Sequence, residues 1–116
     1  MSDQIERARA AARELSRCEV TQIDAMAAAS TGYAETVAEL RLPLETLFAN
    51  DPNSALGLWH EMRAAALKAM SVLLLESLVA EEAGDEPRRN AANHAGNRVQ
   101  DSVIELSAFL PEGPVQ

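Results

Sequence analysis

The longest uninterrupted pattern of helical spacing in the chain runs from Asp51 to Gly84. Asp51 is a favourable N-cap, Pro52 suits the first helical position, and Gly84 is typical of the left-handed residue that ends a helix. Between them, Ala, Leu, Met, Glu, Lys and Arg fill most positions, and these residues favour a helix. The pattern therefore predicts one helix over 52–83, of about 32 residues and about 48 Å.

Polar and apolar positions divide this central helix unevenly. Steps of about 100° per residue place a narrow polar strip on one side and apolar residues, Leu67 and Leu74 among them, over more than half of the circumference. The strip contains Gly57, His60, Glu61, Lys68, Ser71 and Glu82. A surface helix needs an apolar stripe of only about 100°, so we expect this helix to be covered by more than one neighbour.

Shorter helical patterns fill the rest of the chain, which we predict to be a single all-α domain over 1–116. The expected architecture is a small antiparallel helical bundle around the long central helix, with a tight link into the last helix. Breaks are predicted at the Ser, Thr and Gly cluster of 30–32 and before Pro43, and a further break near Cys18–Thr21 is left open. The predicted helices are 3–30, 33–41, 43–49, 52–83 and 87–110, followed by a flexible tail, 111–116.

A dimer is predicted because only Trp59, Tyr33, Phe48 and Phe109 supply aromatic area to a short, Ala-rich chain. Two central helices would pair in antiparallel fashion about Ala69–Met70, with Arg63 of one copy approaching Glu76 of the other. The expected dimer residues on the apolar arc are Met62, Ala66, Ala69, Met70 and Leu73.

Three large aliphatic residues, Leu75, Leu78 and Val79, interrupt the polar strip of the central helix. Exposed aliphatic clusters of this kind mark protein-binding sites, so these three are the first candidates for contact with a partner protein. The alternative, which the short link at Gly84 favours because it lays the last helix alongside this part of the rod, is that the last helix covers them as part of the core. The next candidates for partner contact are Leu47, Phe48 and Trp59.

The formal charge is −8, and residues 33–86 carry ten acids against three bases. Affinity for phosphate depends on Lys and Arg, so we expect no direct binding to nucleic acid and none to a membrane. The single cysteine, Cys18, predicts a small buried residue rather than a redox site. The charged N-terminus lacks the apolar core of a secretory signal, which favours the cytoplasm, and the excess of Arg over Lys is typical of a GC-rich bacterial genome.

No catalytic, cofactor-binding or metal-binding pattern is found, since neither His60 nor His94 has a ligand-type neighbour one turn away. The leading hypothesis is a non-enzymatic, homodimeric regulator that binds and sequesters another protein, such as an antiactivator acting on a transcriptional activator. The alternative is a secretion-type chaperone or a small assembly subunit. An enzyme and a DNA mimic are the remaining hypotheses.

Overall fold

The computed structural model describes residues 3–17 and 23–109 of the chain. Four α-helices account for 95% of these residues, and none of them is in a strand. The all-α prediction is therefore confirmed for those residues. The helices are α1 (Asp3–Arg17), α2 (Ile23–Asn50), α3 (Pro52–Ala83) and α4 (Glu86–Ser107). The predicted tail, 111–116, and the possible break at Cys18–Thr21 lie outside the described residues.

The predicted ends of the long helix are confirmed by local chemistry. The Asp51 side chain accepts a hydrogen bond from the backbone N–H of Ser54, 3.3 Å away, and so caps the first turn of α3. Gly84 closes the helix with φ of 73°, in the left-handed region that glycine enters without steric cost. Asp85 caps α4 in the same manner through the N–H of Arg88.

Helix α2 corrects the prediction of separate helices at 33–41 and 43–49, because 23–50 is one helix. The Ser30 hydroxyl donates to the Met26 carbonyl at 2.7 Å, so its polar group is satisfied within the helix instead of ending it. Pro43 also lies inside the helix, where it removes one backbone donor. Leu40 and Leu44, on either side of it, are completely buried and hold the chain in helical register.

The predicted helix over 3–30 is wrong as a single straight rod. Arg7 of α1 forms an ion pair of 3.1 Å with Glu39 of α2, so the two helices lie side by side. In one straight helix those two residues would be about 48 Å apart.

The core is built mainly from aliphatic residues and alanine, as expected for a chain with few aromatic side chains. The apolar stripes of α1 and α4 both face it. Buried residues from these stripes are Ile5, Ala8, Ala12, Leu15, Ala92, Ala95, Val99 and Leu106. Helix α2 adds Tyr33, Val37, Leu40 and Leu44.

The neighbours of α3 cover its two halves differently. Arg9 of α1 pairs with Glu61 at 3.3 Å, and the Lys68 ammonium donates to the Ser16 carbonyl at 2.9 Å near the end of α1. Helix α1 has 15 residues and α3 has 32, so α1 reaches along only the first half of α3. The second half packs against α4, and no other part of residues 3–17 and 23–109 covers its outer side.

Candidate protein-interaction face

The outer side of α3 presents large aliphatic side chains to solvent, and we call these five residues the α3 face. Their exposed fractions are 38% for Leu67, 63% for Leu74, 55% for Leu75, 53% for Leu78 and 50% for Val79. Single exposed aliphatics are ordinary, but five along one helix form the kind of patch that marks an interaction site. Helix α4 leaves all five exposed, so the core alternative for Leu75, Leu78 and Val79 is wrong.

Two shallow grooves border the α3 face. One, of about 420 Å³, is lined by Leu75, Leu78, Val79, Glu82 and Ala83. The other, of about 430 Å³, lies between α3 and α4, where Leu67, Met70 and Leu74 meet uncharged polar residues of α4. Those α4 residues include Asn93, Asn97 and Gln100. The α3 face is thus continuous with both grooves.

The two ends of the α3 face carry opposite charges. Lys68 is exposed at the N-terminal end, and Glu81, Glu82 and Asp85 are exposed at the C-terminal end. Glu81 lies 3.5 Å from Arg89, and Asp85 is engaged as a helix cap. Among the described residues, Glu82 has no ion pair, so its carboxylate is free to meet a cation of another molecule.

The expected dimer residues lie elsewhere. Met62, Ala66, Ala69 and Leu73 are each at most 1% exposed, and the chain's own helices cover them. Met70 is half-buried at the edge of the groove beside α4. Four of the five side chains are therefore inaccessible to a second copy in this structure.

The expected Arg63–Glu76 contact between copies is replaced by contacts within the chain. Glu76 is 1% exposed and pairs with Arg88 of α4. One Glu76 oxygen, Oε1, has no hydrogen-bond partner in the described structure. Arg63 lies over the Trp59 ring, 5.8 Å from its centroid. A buried carboxylate with one cationic partner fixes the alignment of α3 with α4.

The remaining candidates for partner contact are covered to different degrees. Trp59 is 8% exposed, and its indole Nε1 donates to the Leu106 carbonyl at 2.9 Å, which makes it a core residue joining α3 and α4. Leu47 and Phe48 are half-buried and pack against the core. Leu47 also lines a groove of about 760 Å³ beside α1, but among the large aliphatic residues of that groove only Leu42 is mostly exposed, at 72%.

Sequence reasoning missed Leu67 and Leu74 as members of the exposed face, because it assigned both to the covered arc. Their spacing gives the signal that was available. Leu67, Ser71, Leu74 and Leu78 are separated by four, three and four residues, which is the heptad spacing of a helix that packs against another helix.

Titration and metal binding are not prominent features of this face. The two clear pKa shifts occur elsewhere: burial raises the pKa of Tyr33, and the hydrogen bonds from Ser54 lower that of Asp51. No three His, Cys, Asp or Glu side chains in residues 3–17 and 23–109 are grouped so that they could hold a metal ion. No helix of the described chain is both long and apolar enough to cross a bilayer.

No protein family model, curated protein or solved structure matches this chain. Its function is therefore inferred from its own residues.

Proposed function

We propose that this chain is a regulatory binding protein that sequesters another protein through the α3 face, in the manner of an antiactivator. The observation that carries the proposal is the run of five exposed aliphatic side chains on one helix. Leaving that much apolar surface in water is unfavourable, and a bound partner would remove it from water. No enzymatic step is part of this proposal.

The partner is expected to contribute an amphipathic helix with a basic border. An apolar helix face is recognised through anchors spaced three and four residues apart, as in other helix-binding surfaces. Glu81, Glu82 and Asp85 at one end of the face favour Lys or Arg on the partner. The net charge of −8 disfavours nucleic acid and anionic membranes as competing ligands.

The proposal includes a dimer in a bacterial cytoplasm and an antiparallel bundle within each copy. The order of contacts supports the antiparallel packing of α3 with α4, since Trp59 meets Leu106 while Ser77 meets Asn93. Because the core occupies Met62, Ala66, Ala69 and Leu73, a second copy would have to use apolar surface that is still exposed.

The test replaces Leu78 with Arg and measures both stability and partner capture. Leu78 is 53% exposed, so Leu78→Arg should change the melting temperature little while reducing capture from native lysate at least about tenfold. The matched control is Leu42→Arg, the same change at a leucine 72% exposed on α2, which should capture the partner normally. Capture that survives Leu78→Arg would contradict the proposal, and so would equal loss in both variants.

A further inference from the structure

The α3 face carries the chemistry needed to bind a second copy of itself. The acidic end of the face would be complemented by an apolar helix that carries a cation beside its apolar residues. The N-terminal half of the same face has this combination in Leu67 and Lys68. We propose that two copies pair through this face with their α3 helices antiparallel and Leu75 at the two-fold axis. The inference rests on the proposed function, because it takes the α3 face to be the interaction site.

The positions of Lys68, Leu75 and Glu82 set the direction and register of this pairing. Each is seven residues from the next, so the three lie within about 40° of one another on the helix. Lys68 and Glu82 are each about 10.5 Å from Leu75 along the axis, on opposite sides. In an antiparallel pair centred on Leu75, Lys68 of each copy therefore meets Glu82 of the other.

A parallel pairing through the same residues would oppose like charges. Lys68 would face Lys68 of the second copy and Glu82 would face Glu82, which is unfavourable at both ends. The antiparallel arrangement instead satisfies the two-fold rule that each contact occurs twice. Charge complementarity along one helix thus distinguishes the two directions.

The apolar residues fit the same register. Leu74 of one copy falls beside Leu78 of the other, next to the pair of Leu75 side chains. Ser71 is small and lies on the heptad seam, so the helices can approach closely there. The Lys68 ammonium donates to the Ser16 carbonyl on an exposed surface, and the Glu82 carboxylate is also exposed. Both can turn towards a second copy without opening the core.

Self-pairing and partner capture would use the same side chains, so the two would be alternatives. A partner helix would have to displace the second copy from the α3 face. The apparent affinity for the partner should then fall as the concentration of the protein rises above its dimer dissociation constant. The dimer would act as a resting form that keeps the apolar face out of water.

The first test reverses the charges and measures dimerisation by analytical ultracentrifugation over a wide concentration range. Lys68→Glu and Glu82→Lys should each weaken the dimer about tenfold, because each places like charges together twice. The double variant Lys68→Glu/Glu82→Lys restores opposite charges and should dimerise about as well as the wild-type protein. Failure of the double variant to recover, with both singles weakened, would overturn the proposed register.

The second test maps the register by disulfide trapping in a Cys18→Ser background, which leaves no other thiol. Leu75→Cys should form a covalent dimer on mild oxidation, since the two side chains meet at the axis. Ser71→Cys and Val79→Cys should not, because equivalent residues are then offset by about 12 Å along the axis. Cross-linking of all three to the same extent would overturn the antiparallel pairing.

The inference and the proposed function fail in different ways. A protein that is monomeric at every concentration defeats the self-pairing and the dimer, yet partner capture through the α3 face stands if Leu78→Arg loses capture and Leu42→Arg keeps it. A dimer with the expected charge and cross-linking pattern supports the self-pairing. If partner capture in that case is unaffected by Leu78→Arg, the proposed function fails.

Discussion

At the scale of single residues, two aromatic side chains fill the core and also connect neighbouring helices through hydrogen bonds. The Tyr33 hydroxyl donates to the Met62 carbonyl at 2.8 Å, and the Trp59 indole donates to the Leu106 carbonyl at 2.9 Å. Each therefore places its polar atom on the backbone of another helix, which satisfies a group that would be costly to bury alone. Tyr33 was expected to supply aromatic area, and it is completely buried, but helical spacing cannot reveal which distant carbonyl the hydroxyl reaches.

Stability should fall at high pH because of Tyr33. Burial raises the pKa of this phenol above its usual value, so the folded state holds the proton more tightly than the unfolded state does. Below the unfolded pKa of about 10, both states are protonated and stability is unaffected by this group. Above it, only the unfolded chain ionises, so the free energy of unfolding should decrease by up to about 1.4 kcal/mol per pH unit.

The control for this prediction is Tyr33→Phe, which removes the only tyrosine in the chain. Urea unfolding should show that the variant loses about 1 kcal/mol at neutral pH through the missing hydrogen bond. Its stability should then decline less steeply than that of the wild-type protein above about pH 10. Parallel decline of the two proteins would show that Tyr33 does not titrate differently in the two states.

At the scale of elements, local signals predicted α3 and α4 but not α2. The ends of α3 are set by Asp51 and Gly84, whose effects act within one helical turn, so the sequence predicts them accurately. Pro43 inside α2 costs about 3 kcal/mol. Burying each of Val37, Leu40 and Leu44 is worth about 1.5–3 kcal/mol, so the packing of the whole helix outweighs the local cost. Helix propensity alone cannot predict whether the packing energy of α2 exceeds the local cost of Pro43.

The continuity of α2 is tested by replacing Gly32 with alanine. A Cβ at Gly32 would meet no atom within 4 Å, so Gly32→Ala should stabilise the protein by about 0.5–1 kcal/mol in urea unfolding. Gly57→Ala is the reference, because Gly57 lies in the uninterrupted helix α3 and a Cβ there also meets no atom within 4 Å. Its gain in free energy of unfolding shows how much a glycine-to-alanine change contributes inside a continuous helix. Gly84→Ala should instead destabilise by about 1–2 kcal/mol, since φ is 73° there. A neutral or destabilising Gly32→Ala would indicate a break near that residue.

At the scale of the whole molecule, periodicity predicted the outward strip of α3 but not the extent of the exposed face. Helical spacing places Leu75, Leu78 and Val79 on that strip, but it places Leu67 and Leu74 on the apolar arc that neighbouring helices are expected to cover. Whether an apolar position is covered depends on which helices lie beside it and how far each reaches. Among the described residues, α1 runs as far as Arg17 and its Ser16 carbonyl is level with Lys68 on α3, and this is a property of the assembled fold rather than of α3 itself.

The acidic net charge should make the stability of the whole molecule depend on salt. The chain has 18 acids and 10 bases, so compaction brings an excess of negative charges together. Ion pairs such as Arg7–Glu39 are mostly exposed, and each contributes about 0–1 kcal/mol.

Repulsion spread over the surface should therefore outweigh the loss of these pairs on screening. Moderate sodium chloride shortens the screening length to about 10 Å, and we expect it to raise the free energy of unfolding by about 0.5–1 kcal/mol. Urea titrations in low and moderate salt measure the change, and guanidinium is avoided because it is itself a salt. Repeating them at two protein concentrations separates screening within one copy from salt effects on self-association. A fall in stability with salt at both concentrations would mean that the specific ion pairs, including the buried pair of Glu76 with Arg88, outweigh the general repulsion.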